Sequence, residues 1–218
     1  MGCLVVGVVG VSKAVCDLRV SLGCGTWEVV LLVCCHRDSV GCLDEACTRI
    51  AVCRDGEVDC AVGRPFAGCA PEADAVPGLA RVAERLGRVV RPEGTIWLLL
   101  RDTVSAQGNL CGMPWRVAFG VQAGGWILRN AVINRLGTGY EIAFLFARQA
   151  HYQFDVGERN VGDVWALDPV AAVERCIAVS CRPGGVVLDP FCGGWVTGLA
   201  AGRLGRRFLG PGVARWVA

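Results

Sequence analysis

Residues 186–198, Val-Val-Leu-Asp-Pro-Phe-Cys-Gly-Gly-Trp-Val-Thr-Gly, constrain the fold of this chain more than any other stretch. The apolar run Val186, Val187, Leu188 reads as a buried parallel strand, and it ends in an acid, an aromatic residue and a glycine pair. A helical pattern resumes over residues 199–204. A strand, a glycine-bearing turn and a helix form the usual cradle for a nucleotide-like cofactor. Glycine admits close backbone approach, and the start of the helix offers free N–H groups. The same string also suits a plain tight turn, so its neighbours decide the reading.

Arg182, Pro183, Gly184 and Gly185 precede the strand, and residues 204–210 read Leu-Gly-Arg-Arg-Phe-Leu-Gly. With them the stretch resembles the S-adenosylmethionine-binding end of the DNA amino-methyltransferases, which modify cytosine N4 or adenine N6. That family carries VLDPFxGSGTTG and then LGRRFIGIE. The resemblance runs in order from about residue 29 to about residue 210. Leu79, Val82, Ala83, Leu86 and Val90 fall at helical spacing, Arg91 to Gly94 reads as a turn and Thr95 to Leu100 as a buried strand. This segment is similar to the family's helix, turn and strand, with Asp102 matching the acid after the strand. The segments starting at Met113, Gly125 and Glu141 are similar to IPWRLAFALQ, GWYLRNDIIW and HEYIFLFAKSPRYYFD.

Two further segments bear on chemistry. Residues 29–35 form an apolar run, followed by His36, Arg37, Asp38 and Ser39. By resemblance a strand ending in Gly-Asp-(Ala/Ser) sits here and Asp38 lies near the cofactor; read on its own, Asp38 or Ser39 is a helix N-cap. Residues 56–66 are similar to GSVDLVVTSPPY, in which a strand delivers a (Ser/Asp)-Pro-Pro-Tyr loop. An exocyclic base amine is a poor nucleophile because its lone pair is delocalised into the ring. In such a loop an oxygen acceptor takes the amine's hydrogens while an aromatic ring holds the extruded base. Here the loop reads Gly63, Arg64, Pro65, Phe66, with Gly63 set against the acceptor and Arg64 against the first proline.

Other loops also depart from the pattern. Trp195 stands where the cofactor turn wants no side chain, so it is expected to fill cofactor space or strain the backbone. Gly212 replaces the acid that usually binds the cofactor ribose. The DNA-approaching loop between Ile133 and Glu141 is short, and the segment that covers the cofactor before the helix at residues 170–179 is missing.

Composition narrows the setting. The 218 residues are 53% hydrophobic, enough to bury a full core, and a single methyltransferase-like domain over residues 1–218 is expected. The net charge of +2 means that DNA contact needs a local basic patch. No apolar run reaches the roughly 18 residues of a membrane span, and no basic residue precedes the apolar start, so a cytoplasmic location is expected. A lipid anchor on Met1-Gly2-Cys3 is disfavoured by Val6, and a buried strand is expected there instead. Ten of the 14 cysteines precede residue 70 without a C-x-x-C pair, and the histidines are His36 and His151. They read mostly as small buried hydrophobes rather than disulfide or metal ligands.

The expected fold is α/β, the Rossmann-like S-adenosylmethionine-dependent methyltransferase plan, with a mostly parallel sheet and helices on both faces. By resemblance, Asp38, Asp189, Pro190, Phe191, Gly193 and Thr197 bind S-adenosylmethionine, and Gly63, Arg64, Pro65 and Phe66 form the base loop. The substrate implied is double-stranded DNA, in a restriction–modification setting, with another methyltransferase subunit as a further possible partner. The rival reading is a catalytically inactive relative that binds DNA or a protein.

Overall fold

A computed structural model of the protein describes residues 5–12, 15–22, 25–31, 39–66, 75–155, 157, 162–191 and 195–210. In chain order the elements are β1 (Val5–Ser12), β2 (Val15–Leu22), β3 (Gly25–Leu31), α1 (Ser39–Ala51), β4 (Val58–Gly63), α2 (Ala75–Val89) and β5 (Val90–Leu100). They continue with α3 (Met113–Ala123), β6 (Ile127–Leu136), β7 (Gly139–Ala147), β8 (Val164–Trp165), α4 (Pro169–Ser180), β9 (Val186–Leu188), α5 (Trp195–Arg203) and β10 (Arg207–Leu209).

Seven strands form one sheet in the order β10-β9-β4-β5-β7-β6-β8. Four of its six strand pairs are parallel, and only β7 runs against its neighbours β5 and β6. One face is covered by α1, α2 and α3, which pack Leu43, Leu79, Leu86 and Val117 against Ile96, Leu98 and Phe144. The other is covered by α4 and α5, whose Val173, Ile177 and Ala200 meet Trp97, Leu99 and Val187. Alternate residues of β5 therefore feed opposite cores, as the two-residue period of a strand requires. The expected α/β plan is the one observed.

Local sequence explains most of these elements. Leu79, Val82, Ala83 and Leu86 are buried along one face of α2, while Arg81, Glu84 and Arg85 are exposed. Val90, which continues the same spacing, belongs instead to β5 and pairs with Val58. The turn expected at residues 91–94 is an irregularity within that strand, since the register moves from Val58↔Val90 to Cys60↔Thr95. Gly94 is needed there, because a Cβ would sit 2.7 Å from the Asp59 carbonyl oxygen. Asp168 caps α4 by accepting from the N–H groups of Val170 and Ala171 at 2.9 and 3.0 Å, with Pro169 at the first helical position.

Of the strand expected over residues 29–35, residues 29–31 belong to β3, outside the main sheet, and the rest lies outside the described residues. β1, β2 and β3 form a separate antiparallel sheet, in which Val29 pairs with Leu18 and Leu31 with Cys16. Among the described cysteines, Cys42, Cys60, Cys176 and Cys181 are buried and none is in a disulfide. Burial pushes the Cys60, Cys176 and Cys181 thiols up, Cys181 to about 11, so they behave as small hydrophobes. No helix among the described residues is long and apolar enough to cross a membrane.

Among the described residues, a fully buried polar bond ties α4 to β5. The Trp97 indole N–H donates to the Ser180 hydroxyl at 2.7 Å, with the two residues 2% and 0% exposed. Replacing Ser180 by alanine strands that N–H in the core. A loss of about 1–3 kcal/mol in urea unfolding is expected, with no change in the urea dependence of the transition.

Candidate functional site

The site is built where two strands from distant parts of the chain lie side by side. β4 and β9 pair in parallel, Cys60 with Val187 and Ala61 with Leu188, so their C-terminal ends open at the same edge of the sheet. β4 is buried along its whole length and releases the chain at Arg64. β9 releases it at Asp189. In open α/β sheets this edge, beyond the carboxyl ends of the strands, is where ligands bind.

The two loops touch directly. A Cβ on Gly63 would lie 2.3 Å from Cδ2 and 2.5 Å from Cε2 of Phe191, and 3.5 Å from Oδ1 of Asp189. The Phe191 ring, 1% exposed, thus occupies the space that a side chain at position 63 would need. Gly63 is the last residue of a buried strand and faces this ring rather than an open cleft.

Asp189 holds the turn after β9. Its Oδ1 accepts from the Phe191 N–H at 2.9 Å and its Oδ2 from the Thr197 hydroxyl at 2.6 Å, which ties the strand end to the first turn of α5. Asp189 and Thr197 are each 1% exposed. Burial pushes the Asp189 carboxyl up to about 7, against the lowering pull of the Thr197 hydroxyl, the Phe191 N–H and the Arg49 and Arg64 guanidiniums. Arg49, from α1, donates to the Pro190 carbonyl at 2.8 Å and is ion-paired with Glu45. Asp189, Pro190, Phe191 and Thr197 are therefore all inward-facing parts of the turn.

On the other loop, Arg64 turns away from Phe191 toward β7. Its guanidinium pairs with Glu141, which is 1% exposed. The second Glu141 oxygen accepts from Nδ2 of Asn134 at 3.0 Å. Asn134 in turn donates to the Leu167 carbonyl at 3.1 Å and accepts from the Leu167 N–H at 2.9 Å. Pro65 is buried. Phe66 packs part-buried against the core with a φ of 65°. It is the single non-glycine residue with positive φ among those described, a conformation that costs of order 1–3 kcal/mol and clusters at functional loops.

Of the residues singled out from sequence, Gly63, Arg64, Pro65, Phe66, Asp189, Pro190, Phe191 and Thr197 meet at this edge. Asp38, Gly193 and Gly212 lie outside the described residues. The strain expected at Trp195 is not found. It begins α5 without a positive φ, and its side chain is 58% exposed. Sequence reasoning missed Arg49, Asn134 and Glu141. Asn134 and Glu141 are cross-strand partners in the β6–β7 hairpin, so only the hairpin register relates them.

Asp189 gives the site a pH signature. Its folded pKa lies above the value of about 3.9 in an unfolded chain, so the folded state holds the extra proton between the two. Stability should therefore fall as pH rises from about 4 to about 7 and level off above. Urea midpoints measured across that range should show the fall, and Asp189→Asn should flatten it. Gly63→Ala should cost about 1–3 kcal/mol at any pH, because the added methyl must displace the Phe191 ring.

The comparisons with known proteins agree with this geometry. Residues 157–212 match the family described as DNA methylase. Type II methyltransferase M.SmaI of Serratia marcescens is 25% identical over 63% of this chain and 69% of its own length. Type II methyltransferase M2.DpnII of Streptococcus pneumoniae is 50% identical over 56% of each chain. The chain spans about half to two thirds of the length of the curated relatives it matches. Among solved structures, TTHA0409 of Thermus thermophilus complexed with S-adenosyl-L-methionine superposes with a TM-score of 0.64. It shares 21% identity over 76% of this chain and 85% of its own. Motif order, sheet topology and these likenesses converge on one group of proteins, and the chain is similar in sequence and fold to DNA methyltransferases.

Proposed function

We propose that the protein transfers a methyl group from S-adenosylmethionine to an exocyclic amine, cytosine N4 or adenine N6, in double-stranded DNA. The observation that carries this reading is the contact between the two loops, with the Phe191 ring against Gly63 at the edge where β4 and β9 end together. The type II methyltransferase relatives and the S-adenosylmethionine complex of TTHA0409 support the substrate and the cofactor.

The described residues fit such a cofactor as the frame of its turn. Asp189, Pro190, Phe191 and Thr197 use their polar groups internally, which fixes the turn and the start of α5. The first turn of α5 carries no acidic side chain, so none there opposes an acidic or polar cofactor group. Gly193 and Asp38 complete the proposed binding set. When bound, the cofactor supplies a methyl group activated on a sulfonium.

The base loop is the altered part. β4 runs without interruption from Val58 to Gly63, so a strand-for-strand match to VDLVVTSPPY sets Arg64, rather than Gly63, in the place of the Ser or Asp acceptor. The crowding of Gly63 by Phe191 favours this register over the one that sets Gly63 against the acceptor. A guanidinium has five donors and no acceptor, so Arg64 cannot receive the amine's hydrogens. Backbone carbonyls of the loop remain as acceptors, and in this register Pro65 keeps the first proline, Phe66 replaces the second and Ala67 stands in the aromatic's place. Slow transfer is the result to expect.

The locked Arg64–Glu141 pair favours a second reading, a subunit without transfer activity of its own that works beside an active methyltransferase.

Radiolabelled methyl transfer to mixed-sequence duplex DNA, alongside calorimetric titration with S-adenosylmethionine, separates these readings. The native protein should bind the cofactor and label DNA slowly. The Arg64→Ser, Glu141→Gln double variant, which restores an acceptor without leaving a lone buried carboxylate, should label it at least about tenfold faster, equivalent to ~1.4 kcal/mol of barrier. Cofactor binding without label in either protein would leave the subunit reading. No binding at millimolar cofactor would overturn the proposal.

A further inference from the structure

The geometry points to Arg101, Arg116 and Arg135 as a phosphate-binding surface for duplex DNA beside the base loop. This inference rests on the DNA methyltransferase reading and names the part of the protein that the backbone of the duplex would touch.

The three residues come from three elements that converge on one edge of the sheet. Gly63 at the end of β4 pairs with Leu98 of β5, and Leu100 pairs with Ile142 of β7, so β5 ends beside the start of β7. Arg101 follows directly, and its Nη2 lies 3.2 Å from where a Cβ on Gly139 would be, against the β6–β7 turn. Arg135 sits on the other arm of that hairpin, paired with Tyr140. Arg116 is in the first turn of α3, whose start is pinned to the end of β5. The Asp102 carboxylate there accepts from the N–H groups of Gly112 and Met113 at 3.0 and 2.9 Å. Trp115, next to Arg116, sets its ring edge-on to Phe144 with centroids 5.0 Å apart.

Place distinguishes this cluster, since Arg81 and Arg85 are exposed and open as well but lie on the solvent face of α2. All three arginines are exposed, and none makes a side-chain hydrogen bond or ion pair among the described residues. By contrast Arg88, Arg91, Arg182 and Arg203 each hold a carboxylate. The acids nearest the cluster are already committed. Asp102 caps α3, and Glu141 is buried with Arg64 and Asn134. Trp115 and Tyr140, 42% and 47% exposed, add rigid apolar surface beside the charges. Uncompensated guanidiniums with few acids nearby suit a polyanion, and their place at the ligand edge of the sheet selects the DNA that would deliver the base. In a chain with a net charge of only +2, such attraction has to be local.

The test is the salt dependence of DNA binding. Anisotropy of a fluorescent mixed-sequence duplex would be followed over a range of KCl for the native protein and for the Arg101→Gln, Arg116→Gln, Arg135→Gln triple variant. Arg81→Gln, Arg85→Gln, on the exposed face of α2, removes charge elsewhere as the control. Removing each phosphate-binding arginine should make the slope of log affinity against log salt shallower by about 1, or about 3 for the triple variant. The control should keep the native slope. A triple variant with the native slope would overturn this inference while leaving DNA binding intact. A native protein that fails to bind the duplex at low salt would overturn both this inference and the DNA reading beneath it.

Discussion

β4 and β9 are neighbours in space although the residues that pin them together are 127 positions apart in the chain. The pin is Asp59. Its carboxylate accepts from the Val186 N–H at 2.8 Å, and Arg91 and Arg182 approach the other oxygen at 3.3 and 3.1 Å. A buried carboxylate is tolerated only when its charge and lone pairs are met, and here both are. With the entrances of the two strands joined at this point, their exits have to open together. One exit carries residues 63–66 and the other residues 189–191, so the candidate site follows from the pairing.

At the exits the packing replaces polarity with shape. Gly63 lets the Phe191 ring lie against the backbone, and Asp189 spends both oxygens on Phe191 and Thr197. One residue further on, the chain does the reverse. Arg64 reaches a buried glutamate, and Asn134 and Leu167 satisfy what remains of that glutamate and of each other. Removing one member of such a network leaves an unpaired buried charge, whereas changing both partners need not. The strands on either side keep their packing around this buried network. Fold and chemistry are separable in sheets of this kind, because burial stabilises the sheet while loop side chains carry function.

The loop that carries Asp102 shows the same economy. That acid matches a family position after the β5 strand, and its contacts are structural. It closes the turn to Thr103 and supplies the start of α3 with the acceptor that Gly112 lacks. By holding α3 against the sheet, it sets Trp115 and Arg116 at the same edge as the hairpin arginine.

Much of this was legible in the residues. The apolar spacing of Leu79, Val82, Ala83 and Leu86 is that of a helix with one buried face, and Val186, Val187 and Leu188 are buried on both sides as their uniform apolar character implies. The convergence of Gly63, Arg64, Pro65 and Phe66 with Asp189, Phe191 and Thr197 followed from motif resemblance alone. The direction taken by Arg64 did not, because its partner Glu141 is defined by a hairpin register and by the sheet order that places β5 and β7 beside β4. Nor did the separate sheet of β1 to β3, since pairing partners are a property of distant chain and not of local spacing. Local sequence determined which segments are strands and helices, through periodicity, capping and backbone freedom. Only the tertiary structure decided which charges meet and which remain open, because electrostatic partners are set by distance in space after the hydrophobic surfaces have closed.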